Sequence, residues 1–384
     1  MAGWLVVSNW RYLLFDMKYF SIIAELSEVG DPEITETINT SGSAKVSIPF
    51  GPAFGFVDQT VYGFSYVDLK MPRAGLAIEK DGTLDFAGPI NLQTANFDTG
   101  ILDLNANGIY EIMKRRVPTT SHHFIPASAS VPYVPAAYVG IGWDQAWIAK
   151  LYIDMMQQQD GGYLNIVNDF QTTGIFRTHQ SFVTDLKTFY DIIGDRAGLI
   201  NGFDFKFTPR WKDGIRNQEI EWIFEIFYPP EGRETGLLFE LGSNVDFGSL
   251  QSNGSEIVFG SYSVMENSGN SANIGFDEDA AARAADYRLE WVDRDHTDVK
   301  DVNTADLYAL IARLRRSKQS DIPSIVAPIA LADEFIIGDQ VRIKASWGLV
   351  QLDSMFRIMN FTLKPKEGTV SINVAPIVTA SGVG

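Results

Sequence analysis

Cysteine is absent from this chain of 384 residues. Disulfides, thiolate metal sites and thiol catalysis are excluded with it, and synthesis in a reducing cytoplasm is expected. Histidine is nearly as scarce, with His122, His123, His179 and His296 making up the full set of 4. No uninterrupted apolar run approaches the roughly 18–20 residues that a membrane-spanning helix needs, so no stable membrane insertion is expected. The opening MAGWLVVSNWRYLLFDMK lacks the basic start and continuous apolar stretch of a secretory leader. The expectation is a soluble protein. Basic charge is short as well: 31 Lys and Arg stand against 48 Asp and Glu, a formal net charge of -17. Such a chain repels the phosphates of a nucleic acid rather than gripping them.

Motifs of chemistry are missing too. There is no G-x-S-x-G, no Ser-x-x-Lys set and no H-E-x-x-H, and the glycines form neither a P-loop nor a dinucleotide fingerprint. His122 and His123 are adjacent, and neighbours in sequence rarely converge on one ion, so a surface arm is the simpler reading. The stretch DRDHTDVKD offers Asp293, Asp295, His296, Asp298 and Asp301 as hard ligands, but it lacks the Gly and Glu of an EF-hand loop. It reads as a charged turn before a helix. No carboxylate pair stands out among the acids, so no catalytic residue, no metal site and no cofactor is expected, and the chain reads as not an enzyme.

What the sequence does contain is strand and turn. Aromatics make up 12% of the residues, and 33 Gly and 16 Pro are spread along the chain, as short strands and tight turns require. In SAKVSIPFG, Ala44, Val46 and Ile48 alternate with polar residues until Pro49, which cannot donate to a ladder. Asp81-Gly82, between Lys80 and Thr83, is a hairpin signal. In FIIGDQVRIKASWG the apolar run 335–337 stops at Gly338-Asp339, and Val341, Ile343 and Ala345 then alternate with polar residues. That pattern predicts a turn feeding a half-buried strand.

Between the β-rich ends lie helices. The spacing predicts one helix with Trp147, Ile148, Leu151, Tyr152 and Met155 on its apolar stripe, stopped by Gly161-Gly162. A second is predicted with Ser181 as N-cap and Phe182, Leu186, Phe189, Tyr190 and Ile193 inward, ending near Gly194. In EIEWIFEIF, Ile220, Trp222, Phe224 and Ile226 alternate with Glu219, Glu221 and Glu225 as a strand. A third helix, over 304–317, is predicted with Leu307, Leu310, Ile311 and Leu314 buried. The expected fold is mainly β with an α+β insertion, arranged as two β-barrel-like domains flanking a central α+β region. The expected boundaries are 1–116 for the N-terminal β domain, 117–142 for an extended arm or linker, 143–240 for the α+β middle, and 241–384 for the C-terminal β domain.

The order of features SGSAKVSIPFG, GLAIEKDGTLDFAGPINLQ and GILDLNANGIYEIMKRR resembles the N-terminal module of tail-hub minor tail proteins of long-tailed bacteriophages, particularly those of actinobacteria. The likeness includes Phe86-Ala87-Gly88 and the segment ending Lys114-Arg115-Arg116. LLFDMK resembles the family's opening strand, and YRLEWVDRD, IIGDQVRIK and FRIMNFTL with VSINVAPI resemble its closing barrel. The resemblance covers most of the chain in outline, with 117–240 matching least.

The resemblance implies a structural part of a virion tail tip, similar to contractile-phage baseplate hubs. Two related β-barrels per subunit would assemble as a homotrimer, giving a pseudo-hexameric ring that closes the tail tube. Its implied partners are the distal tail protein, the tape measure protein and other minor tail or tip proteins, with phage DNA passing through without specific binding. Assembly would take place in the cytoplasm of the bacterial host. The residues expected to matter are structural: Pro49, Gly82, Gly88, Gly338, Asp339 and Val341. Two other readings stand beside this one. In a carbohydrate-recognition module Trp143, Trp147, Trp211 and Trp347 would stack on sugars, whereas packing in a core or between subunits is the simpler use of those rings. A cell-wall hydrolase would need a carboxylate pair or metal cluster that the sequence does not single out.

Overall fold

The computed structural model describes residues 9–26, 29–50, 73–118, 137–169, 171–182, 187–199, 201–228, 232–268, 271–285, 288–294, 302–317, 320–348 and 350–377. The fold is mainly β, with helices inserted. Two compact units share the chain: Met1–Thr235 with Ala327–Gln340 and Ile358–Ile372, and Gly236–Val326 with Val341–Arg357 and Asn373–Gly384. Among the described residues no sheet closes into a barrel.

In the first unit, strands β1 (Trp10–Asp16), β2 (Ile22–Leu26), β3 (Gly30–Thr37), β4 (Ser43–Pro49), β5 (Ala74–Lys80), β6 (Thr83–Asn96) and β7 (Ile101–Asn107) lie in the order β3-β4-β7-β6-β5-β1-β2. Each neighbouring pair among them is antiparallel, and residues 360–363 of a C-terminal strand add to β3. The alternation in β4 and β7 places Ala44, Val46 and Ile48, and Leu102, Leu104 and Ala106, in the core, as period two requires.

Strand β6 is long because it serves two neighbours. Residues 83–89 pair with β5 and residues 90–96 with β7, with a bulge between Ile90 and Leu92. Its burial changes at the same place, from core in the first half to largely exposed in the second. A 3₁₀ turn at Ile109–Arg115 follows β7 and buries Ile109, Tyr110 and Met113.

The inserted elements come next. Residues 119–136 of the expected arm lie outside the described residues, and the end of that stretch is strand β8 (Ala137–Asp144). Asp144 caps helix α1 (Gln145–Gln158), accepting from the Ala146 N–H at 2.8 Å. The same carboxylate accepts from the N–H groups of Thr173 at 3.0 Å and Gly174 at 2.7 Å, which ties the helix start to a distant loop. The buried face of α1 is Ala146, Ile148, Ala149, Tyr152, Ile153 and Met156. Of the expected stripe, Trp147 is exposed and Leu151 and Met155 are only half-buried. The true stripe passes through small alanines, which a search for large apolar residues skips.

The second helix also differs from expectation. Ser181 is not an N-cap: it lies with Phe182 in strand β10 (Phe176–Phe182), paired to β8, while strand β9 (Ile166–Asn168) precedes it. Helix α2 (Phe189–Ala197) starts at Thr188, whose hydroxyl accepts from the Asp191 N–H at 3.1 Å. Asp191 in turn accepts from the Thr188 N–H at 3.2 Å. This reciprocal box satisfies two donors at once, which the lone Ser181 could not. Leu186 lies outside the described residues.

Strands β11 (Asp204–Trp211) and β12 (Ile220–Phe227) are antiparallel, and β9 joins β12 in parallel. Ile220, Trp222, Phe224 and Ile226 are all buried, as their alternation predicts. Trp222 packs against Phe15 and Phe20, with ring centroids 6.1 and 5.9 Å away. Its indole N–H donates to the Ala87 carbonyl at 3.1 Å, so this fully buried ring has its one donor satisfied.

Strand β13 (Glu234–Glu240) leads into the second unit, which holds β14 (Asp246–Asn253), β15 (Gly260–Ser268), β16 (Ser271–Glu278) and β17 (Glu290–Asp293), with the short helix α3 (Ala280–Ala285) between β16 and β17. Then come helix α4 (Val302–Arg315), strand β18 (Ser320–Pro328), which pairs with β14, and strand β19 (Gln340–Trp347), which pairs with β13. Strands β16, β15 and β17 form a small sheet under α4. The helix buries Ala305, Tyr308, Ala309 and Ala312, whereas Leu307, Leu310, Ile311 and Leu314 are only half-buried. The expected leucine stripe is therefore not the packing face. Gly275 contributes to this: a Cβ there would stand 2.0 Å from the Ala305 carbonyl carbon, so at that point the helix backbone lies almost on the sheet and a large side chain would not fit.

Candidate functional site

Six turn and strand residues carry the structural expectation. Pro49 ends β4 opposite Ile101. Gly82 has φ +95° and follows Asp81 at φ 50°, forming the turn between β5 and β6 while Lys80 and Thr83 pair across it. Gly88 sits just before β6 changes partners, and a Cβ there would lie 1.9 Å from the Asn107 carbonyl oxygen. Only glycine permits that approach of β6 to the end of β7.

Gly338 and Asp339 form the turn that leads into β19, where Val341 lies. Gly338 has φ +92°, its N–H donates to the Ile358 carbonyl at 2.9 Å, and the Asp339 carbonyl accepts from the Ile358 N–H at 2.9 Å. The buried Asp339 carboxylate accepts both arms of the Arg233 guanidinium, at 2.9 and 2.7 Å, and the Ile336 N–H at 2.9 Å. Such a fork satisfies the carboxylate's lone pairs in fixed geometry. Val341 starts the buried row of β19 with Ile343 and Ala345. Sequence reading missed Arg233 because it is 106 residues away and Arg-Asp pairing leaves no local pattern.

Other polar groups gather in the first unit. Glu79 is wholly buried and accepts from Arg11 at 3.2 Å and from Arg216 at 2.9 Å. Burial alone would raise its pKa, but the hydrogen bonds and charges of Arg216 and Arg11 outweigh that and hold it below the usual carboxylate range. This is a structural knot between β1, β5 and the loop before β12. Asp85 lies in a cleft of about 240 Å³ with Glu36, Thr35 and Lys206. Burial, then the Glu36 charge, pushes its pKa up to about 7.

Among the described residues, no three His, Cys, Asp or Glu converge to hold a metal. His122, His123, Asp295, His296, Asp298 and Asp301 lie outside those residues, and His179 is a position in β10 opposite Gly140. Of the singled-out tryptophans, Trp211 is buried and Trp143, Trp147 and Trp347 are exposed. Trp143 and Trp147 meet edge to face at 6.1 Å. No helix among the described residues is long and apolar enough to cross a membrane.

By sequence, the chain matches no family model and no curated protein. By structure it is similar to the 43 kDa tail protein of prophage MuSo2 from Shewanella oneidensis, with a TM-score of 0.60 at 11% identity over 96% of this chain and 98% of that one. It is also similar to the prophage tail protein gp18 from Listeria monocytogenes, with a TM-score of 0.55 at 10% identity over 97% and 96% of the two chains. The tail protein from Neisseria meningitidis gives 0.54 at 10% identity over 96% of each chain. The chain has the fold of these tail proteins from end to end.

Proposed function

We propose that this chain is a structural subunit of a phage tail, forming the hub at its tip. The observation that carries the reading is the agreement of fold with tail proteins from three bacterial species, each over at least 96% of this chain. In this reading three copies form a pseudo-hexameric ring that closes the tail tube, contacts the distal tail and tape measure proteins, and lets DNA pass. A trimer would carry three times the formal charge of -17, and an acidic passage would let DNA slide without sticking. The six turn residues would act by shaping strands rather than by chemistry. Light scattering with negative-stain imaging tests the ring: particles of three times 42.7 kDa with a central opening are expected. A chain that stays monomeric alone and with its distal tail protein would overturn the ring.

The exposed Trp143–Trp147 pair favours one further reading, recognition of carbohydrate on the host surface, because sugar faces stack on such rings. Binding to host cell-wall glycan that is lost in Trp147→Ala would support it.

A further inference from the structure

The first unit contains a cavity of about 610 Å³ that none of the structural residues above occupies. Four cations from three separate segments line it: Lys18 after β1, Arg73 before β5, and Arg115 and Arg116 at the end of the 3₁₀ turn. In a chain of net charge -17 such a gathering needs an explanation. Like charges brought together repel, and the arrangement persists at low cost only where counter-charges are supplied.

The chain supplies few of them. Arg73 is paired with Asp16 at 2.8 Å, and that carboxylate also accepts the Lys18 N–H at 2.7 Å. Glu111, the one acid in the lining, is paired with Lys114 at 2.9 Å. Lys18, Arg115 and Arg116 have no carboxylate partner among the described residues. Arg116 is half-buried, and its Nη1 donates to the Gly162 carbonyl at 2.5 Å, a neutral partner. Burial lowers its pKa, the mark of a guanidinium removed from water without an anion beside it.

The rest of the lining is of another kind. Ile112 and Leu164 add apolar surface, and Tyr163 adds an exposed ring. That ring is fixed by a hydrogen bond from its hydroxyl to Asn165 at 2.8 Å and by an edge contact with Phe20 at 5.9 Å. A cavity of this size with apolar walls and a few convergent charges has the form of a small-molecule site.

We propose that this cavity binds a phosphate monoester carried on a ring or apolar body. Three uncompensated cations suit the two negative charges of a phosphate better than the single charge of a carboxylate, and guanidinium forks match its oxygens. The body of the ligand would lie against Tyr163 and the apolar wall. The site does not depend on the chain being a tail hub.

The test is calorimetric titration of the full chain with phenyl phosphate, with inorganic phosphate and benzoate as separate arms. Phenyl phosphate is expected to bind with a Kd of about 1 mM or tighter at low salt, and the two arms about tenfold or more weaker. Lys18→Gln with Arg115→Gln, both at exposed positions, is expected to weaken phenyl phosphate at least about tenfold while leaving the Tm unchanged. Glu111→Gln should instead tighten binding by about twofold to fivefold, a gain that damage to the fold would not produce. No saturable binding of phenyl phosphate at about 10 mM, or binding indifferent to the double substitution, would overturn the site. Benzoate binding as well as phenyl phosphate would overturn the phosphate preference.

Discussion

In the first unit Trp222 lies among Phe15, Phe20 and the Ala87 carbonyl, and Tyr110 stacks on Tyr190 at 4.3 Å while donating its hydroxyl to that residue's carbonyl at 2.7 Å. In the second unit, α4 meets β15 and β16 through Ala305, Ala309 and Ala312, over Gly275 and the buried Ser261 and Ser263. One interior is filled by large rings, with the polar ends of Trp222 and Tyr110 satisfied. In the other, where α4 crosses β16, backbones come together at Gly275 and Ala305 until no large side chain fits between them. The contrast teaches that a core position is defined by the space opposite it, and that volume and closeness are alternative ways to exclude water.

Substitutions can break this contrast or sharpen it. The largest effect is expected from Trp222→Ala, a loss of about 3–5 kcal/mol seen as a lower midpoint in urea, because the hole left by an indole cannot collapse. A loss below about 1 kcal/mol would mean that the rings are not what holds the first unit. In the second unit the damaging change is an addition. Gly275→Val is expected to cost about 3 kcal/mol by forcing α4 off its sheet, with faster amide exchange in α4 and none in β4 or β7.

Next in size is Gly338→Val, at about 2 kcal/mol, because a β-branched residue disfavours a φ of +92°. An unchanged Tm would sink the role proposed for that turn.

Asp85→Asn is expected to act in the opposite direction, and only at some pH values. The folded state holds a proton on Asp85 up to about pH 7, whereas the unfolded chain releases it near 3.8. The folded protein thus binds more protons in that window, and its stability falls as pH rises through it. At about pH 8 the amide should stabilise the first unit by about 1–3 kcal/mol, and at about pH 3.5 it should change little. A stabilisation equal at both pH values would show that the carboxyl is not strained by its surroundings. The smallest effect is expected from Leu310→Ala on the half-buried side of α4, below about 1 kcal/mol. A cost approaching that of Trp222→Ala would erase the distinction between the two interiors.

Much of the fold is legible in the sequence. The strands β4, β7 and β12 alternate cleanly because one face of each is buried, and the Asp81-Gly82 turn announces itself through residues that tolerate positive φ. The helices were legible as helices but not as to which face is buried. In α1 and α4 the inward face runs through alanines, which carry a weak hydrophobic signal, while Trp147 and the leucines of α4 drew the eye outward. Ser181 drew the second helix start away from Thr188, whose box with Asp191 was present in the sequence as Thr-x-x-Asp. Of the polar constellations, the Arg233–Asp339 fork, the Glu79 knot and the cationic cavity were all invisible, because their members come from separate segments.

The sequence by itself determined the class of fold, the turns and the strand faces, together with the absence of thiol chemistry. Those follow from local rules: side-chain period, backbone strain and the identity of each residue. The tertiary structure alone decided that β6 would change partners beside Gly88, that α4 would rest on Gly275, and that Lys18, Arg115 and Arg116 would share one cavity. Those are matters of what stands opposite each residue once the chain has closed, and no local pattern records a neighbour that folding brings from another segment.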